Sequence, residues 1–126
     1  MHRIVHTEFC SNDPQATADA MALVFGWKMT PMNMGDEVYI LWNYPDDEKA
    51  GGGGIYSGVG SWTGPTTIEY IEVENIANSI VKAESVGSKV TAPEQPIGPN
   101  GEHGHYAIVN LPGDCAVGFW SKSASK

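Results

Sequence analysis

The chain has 126 residues, 41% hydrophobic and 17% charged, enough to close a core of its own and too apolar for a disordered or fibrous segment. Its formal charge of −8, from 15 acidic against 7 basic residues, repels phosphate backbones and anionic lipid, so no nucleic acid and no membrane is expected as a partner. No stretch approaches the roughly 20 apolar residues of a membrane span, no signal-peptide core follows Met1, and Cys10 and Cys115 form no metal-binding pair; a cytoplasmic protein with two reduced, buried thiols is the expectation.

In chain order, Ile4 to Cys10 alternates as a strand does. Asp13 is a helix N-cap and Pro14 a first helical residue. Ala16, Ala20, Leu23 and Val24 carry helical spacing to Phe25, and Gly26 stops the helix. Trp27–Met32 and Glu37–Trp42 read as strands, the latter with Val38, Ile40 and Trp42 on one face and Glu37, Tyr39 and Leu41 on the other. Gly51–Gly54 leads into Ile55 and Tyr56; such a run suits a bulged strand entry or a close backbone approach, and no Gly-Lys-Ser/Thr follows to make it a phosphate loop. Ser61–Pro65 is the expected link. Thr66–Val73 is a strand, Asn75 caps a helix over Ile76–Val86 with Ile76, Ile80, Val81 and Ala83 apolar, and Lys89–Thr91 is a strand. Pro93–Gly101 reads as a loop, His105–Asn110 and Cys115–Trp120 as the last strands, and Ser121–Lys126 as a polar tail.

The order is β-α-β-β-β, twice. Phe25-Gly26-Trp27-Lys28-Met29-Thr30 closes the first helix and Val86-Gly87-Ser88-Lys89-Val90-Thr91 the second, about 60 residues later. The expected fold is α+β: a single domain, 1–126, of two tandem βαβββ modules, about 1–60 and 65–122, with sheets facing a shared cleft.

Four segments carry a resemblance. They are Glu8-Phe9 with Asp13-Pro14, Val24-Phe25-Gly26-Trp27, Tyr70-Ile71-Glu72-Val73-Glu74-Asn75, and Gly104-His105-Tyr106-Ala107 running to Leu111-Pro112-Gly113. With the glycines at 52–54, they make the chain similar over its whole length to the vicinal-oxygen-chelate superfamily, the fold of glyoxalase I, bleomycin-resistance proteins and extradiol dioxygenases, in its glyoxalase-like branch of unassigned function. That resemblance implies metal ligands on four strands. One falls on His6. The others fall on Ile68, on Gly118 and near Gly54 or Tyr56, none of which is a normal ligand for a divalent ion. The usual four-ligand metal site is therefore not expected. The resemblance also implies a homodimer.

Alternation places His6, Glu8 and Cys10 on one face of the first strand, and Ile68, Tyr70 and Glu72 on one face of the fifth. His6 and Glu8 are the candidate catalytic pair, a histidine beside a carboxylate that would raise its pKa and make it a general base; a simple hydrogen-bonded pair is the structural alternative. Tyr56, Tyr70, Glu72, His105 and Trp120 are the candidate ligand-binding residues, and Trp27, Trp42 and Trp62 complete the aromatic stock. No cofactor is demanded. A divalent metal stays open through a fallback set of His6, Glu8, Glu72 and His103, with His105 nearby in sequence. Four functions follow: a metal-free small-molecule binder of the drug-sequestering type or a lyase of unassigned substrate, a lactoylglutathione-lyase-like isomerase or lyase with displaced metal ligands, a metal-free enzyme using His6 or Glu8 on an activated carbonyl compound, or an accessory or structural module with no ligand. In the first three the partner is an unknown small molecule.

Overall fold

A computed structural model of the chain describes residues 1–34, 37–57 and 67–126. Trp62 and the expected link at Ser61–Pro65 lie outside the described residues. The fold is α+β. Its elements are β1 (Ile4–Cys10), α1 (Pro14–Phe25), β2 (Lys28–Met34), β3 (Glu37–Asn43), β4 (Gly52–Tyr56), β5 (Thr67–Glu72), α2 (Ile76–Glu84), β6 (Lys89–Pro96), β7 (His105–Leu111) and β8 (Cys115–Ser121). This is the βαβββ pattern, twice. No described helix is long and apolar enough to cross a membrane.

The chain divides into two compact units, Val5–Ile68 (the first half) and Met1–Ile4 with Glu69–Lys126 (the second half). Strand order in the first half is β2-β3-β4-β1, with β1 and β4 parallel and the other pairs antiparallel. The second half repeats it as β5-β8-β7-β6, with β5 and β8 parallel.

Local chemistry explains the helices. The Asp13 side chain accepts a hydrogen bond from the Ala16 N–H at 3.2 Å, Pro14 opens α1, and Gly26 closes it at a φ of 72°, where a residue with a Cβ is strained. In the second half Asn75 accepts from the Asn78 N–H at 2.9 Å. The buried face of α1 differs from the sequence expectation. Ala16, Ala20, Leu23 and Val24 are exposed, and Pro14, Ala18 and Met21 turn inward. The reason is packing: Ala18 is small enough to let the helix settle on Ile40, Trp42 and Ile55, with Met21 filling the margin. Burying a side chain such as Ile55, which is fully enclosed, is worth about 1.5–3 kcal/mol. The corresponding core of the second half is Val73, Ile76 and Ala107, with Ile80 and Phe119 against it. Val81, expected on that face, is exposed.

Two further expectations change. The sixth strand does not stop at Thr91 but runs through Pro93 to Pro96, because β6 lies at the outside of its sheet and its pairing with β7 is interrupted by register shifts. Proline, which lacks an N–H, is tolerated at such positions. Of the cysteines, both free, Cys10 is half-buried but Cys115 is exposed, since it begins β8 just after the Asp114 turn.

Candidate active site

The glycine run builds the site. On β4, Gly52, Gly53 and Gly54 pair with Asn43, Trp42 and Leu41 of β3. Gly53 and Gly54 pair on the other side with Thr7 and Glu8 of β1. With no side chains on β4, residues of β3 can lie across it and reach β1. Trp42 does this on the helix-facing side: its indole N–H donates to the Thr7 carbonyl at 3.2 Å, and a Cβ on Gly53 would collide with both groups. Tyr39 does it on the opposite side, where a Cβ on Gly54 would fall within the Tyr39 phenol. The run is thus a close backbone approach, one of its two sequence readings.

Tyr39 meets the candidate pair. Its hydroxyl oxygen lies 2.7 Å from His6 Nε2, and its O–H donates to Glu8 Oε2 at 3.0 Å. The His6 and Tyr39 rings are nearly parallel, with centroids 6.4 Å apart. A phenol has one proton to give. Since Tyr39 gives it to Glu8, the His6 contact must run the other way, with Nε2–H as donor and the lone pair on Nδ1. His6 and Glu8 therefore communicate through Tyr39. Glu8 is buried, at 9% exposure.

The expected raising of the His6 pKa is reversed. Burial opposes the charged imidazolium and pushes His6 from 6.5 down to about 4, so the ring is neutral at neutral pH. Burial, followed by the neighbouring Glu8 charge, raises the Cys10 pKa, so that thiol is a poor nucleophile. Tyr56 packs against Tyr39 with centroids 5.6 Å apart, and its O–H donates to Glu37 Oε2 at 2.8 Å. Tyr39 and Glu37 were not among the candidate site residues. Period-two alternation had placed them on one face of β3, but nothing in the sequence showed that this face borders His6.

The remaining candidates belong to the second half. Tyr70 covers Gly118, its neighbour on β8, and meets Tyr106 edge to face at 6.2 Å. Glu72 pairs with Trp120, whose indole N–H donates to the His103 carbonyl at 3.1 Å. His103 lies 3.5 Å from Glu102 on the surface, and His105 packs against Gly101 with its Nδ1 buried and lacking a hydrogen-bond partner. Among the described residues no group of three or more His, Cys, Asp or Glu side chains is placed to hold a metal ion; of the fallback set, His6 and Glu8 belong to the first half and Glu72 and His103 to the second. Two strand positions where the family resemblance puts ligands, Gly54 and Gly118, lie beneath tyrosine rings.

No protein-family model matches the chain, and no curated protein matches it. Solved structures do. Methylmalonyl-CoA epimerase from Mycobacterium tuberculosis aligns with a TM-score of 0.67 over 95% of this chain and 87% of that one, at 11% identity. A glyoxalase/bleomycin resistance protein/dioxygenase superfamily member from Vibrio splendidus aligns at 0.63 over 96% and 98%, at 12% identity. This chain has the vicinal-oxygen-chelate fold. A Streptomyces coelicolor methylmalonyl-CoA epimerase in complex with 2-nitronate-propionyl-CoA adds a third example, at 0.64 over 100% and 98% with 15% identity. At such identities the vicinal-oxygen-chelate likeness is one of fold, and the chemistry must come from the residues.

Proposed function

We propose that this protein binds a small molecule on the Tyr39 face of its first half and moves a proton on it without the divalent metal usual for this fold. One observation supports the reading above the others: the ordered chain from His6 Nε2 through the Tyr39 hydroxyl to Glu8. His6 is the base and touches the substrate. It accepts a proton from a C–H next to a carbonyl at Nδ1. Its Nε2 proton passes to the Tyr39 oxygen, and the Tyr39 proton passes to Glu8. The imidazole never has to hold a full charge, which its buried site opposes. Glu8 and Tyr39 are positioning residues that take up the proton at a distance.

In this reading the protein is a glyoxalase-like isomerase or lyase of an activated carbonyl compound, cytoplasmic and acting as a homodimer. The test is proton exchange in D2O after exhaustive chelation, followed by NMR on a panel of 3-oxo acids and on methylmalonyl-CoA, the compound named for two of the structural neighbours. Exchange is expected to survive chelation. It should fall about 10²–10⁴-fold in His6→Gln, the usual contribution of a positioned acid or base, and less in Tyr39→Phe. Exchange that disappears on chelation and returns with one equivalent of metal would sink the reading. Tight binding without exchange in any compound would leave a sequestering protein, a role the Tyr39–Tyr56 aromatic pair also suits.

A further inference from the structure

Beside His6, at the Asn43 end of β3, the surface of the first half opens into a depression of about 260 Å³. Val5, His6 and Leu41 line it on the sheet, Asn43 and the glycines at 51–53 form one side, and Glu48 and Lys49 form the rim. Three features of this space bear on what fills it.

Size comes first. A water molecule occupies about 30 Å³ of liquid, so the depression holds roughly nine waters, or a ligand of about as many heavy atoms. It lies below the range of about 300–1,000 Å³ that suits drug-sized ligands. Charge comes second. The Glu48 carboxylate is held by Lys28 at 2.9 Å, an exposed pair that neutralises it. Lys49 makes no ion pair among the described residues; only its backbone N–H is engaged, with Asp47 Oδ1 at 3.1 Å. In a protein of net charge −8, Lys49 is thus a cation with no ion-pair partner among the described residues at the border of the depression, in a turn that also carries Asp46 and Asp47. Polarity comes third. The Asn43 side-chain nitrogen lies where a Cβ on Gly52 would approach it to 2.7 Å, so the absent side chain at Gly52 is what lets the amide lie over β4 beside the depression.

We propose that this depression is the recognition site for a small carboxylic acid carrying an activated C–H. The Lys49 ammonium and the Asn43 amide hold its carboxylate, and His6 faces the carbon that loses the proton. The inference rests on the proton-transfer reading above and adds the substrate class to it. An ammonium and an amide N–H are both donors, matching the acceptor-only character of a carboxylate. Asn43 on β3 and His6 on β1 are joined through the β4 ladder, and Lys49 comes from the turn between β3 and β4.

The test uses the whole protein with acetoacetate and its methyl ester, which replaces the carboxylate at the proposed anchor by an uncharged group one methyl larger, each exchange rate being taken relative to that compound's rate without protein. NMR titration gives Kd, and exchange at C2 in D2O gives the rate. The wild type is expected to bind the acid at least tenfold more tightly than the ester. Lys49→Gln, on an exposed rim where folding is not at stake, should erase that preference, and Asn43→Ala should reduce it. Equal binding of acid and ester, or a preference unchanged in Lys49→Gln, would overturn the anchor while His6-dependent exchange still stood. Conversely, an acid preference that requires Lys49 but shows no exchange in any variant would retain the anchor and defeat the proton-transfer reading.

Discussion

At one register position the first half sets Glu8 beside Gly54, and at the equivalent position the second half sets Tyr70 beside Gly118. The strands that follow match as well: Tyr39 opposite Tyr56 corresponds to Tyr106 opposite Trp120, and Leu41 opposite Gly54 to Ile108 opposite Gly118. Both glycines are covered by a tyrosine, but from different sides. In the first half the short carboxylate on β1 leaves room for Tyr39 to cross from β3 and donate to it. In the second half β5 supplies the ring itself, and Tyr70 meets Tyr106 edge to face. β5 also carries buried Ile68 where β1 carries His6. One backbone pattern thus carries a hydrogen-bonded chain in one copy and an aromatic pair in the other, and two residues on the first strand of the repeat decide which.

The sharpest way to break the comparison is to fill both glycines. Gly54→Ala and Gly118→Ala should each cost about 1–3 kcal/mol by overpacking, since the new methyl meets a tyrosine ring in both. Only Gly54→Ala should also slow proton exchange, to about the extent of Tyr39→Phe, by lifting Tyr39 away from His6 and Glu8. Melting curves and D2O exchange on the two variants read the two effects separately.

A second effect is a pH dependence confined to one half. The folded pKa of His6 is about 4 against 6.5 for the unfolded chain, so the unfolded state binds the proton more tightly. Stability is therefore full above about pH 6.5 and falls as pH drops toward 4, by as much as about 3 kcal/mol from this group. His6→Ile, which gives β1 the residue of β5, should flatten that slope in urea titrations repeated between pH 4 and 7. A slope unchanged in the variant would assign the pH response to other groups.

The smallest effect should be equal in the two halves. Asp13→Ala and Asn75→Ala each remove a side chain that accepts a helix N–H, and each should lower stability by about 1 kcal/mol in thermal melts. A large difference would mean that the two helices are not equivalent supports for their sheets.

These contrasts also show what was legible in the sequence. The repeat, both caps and the strand pattern were readable because each depends on residues a few positions apart. The burial of α1 was misread because the helix chooses its inner face by what it meets, and Ala18 fits against Trp42 better than Leu23 does. His6 and Glu8 were readable as neighbours on one face of a strand. Tyr39 was not, because its role depends on pairing between β1, β3 and β4, 31 residues apart in sequence at the Glu8 contact. The direction of the His6 shift was likewise hidden, since burial is a property of the assembled sheet.

Proline placement has a consequence for concentrated solutions. One outer strand of each half's ladder contains it: Pro31 in β2, and Pro93 and Pro96 in β6. A rim that lacks donors at intervals, and that is bent by register shifts along β6, is a poor template for a further strand. Along the β2 and β6 rims the chain should therefore resist growing into fibres.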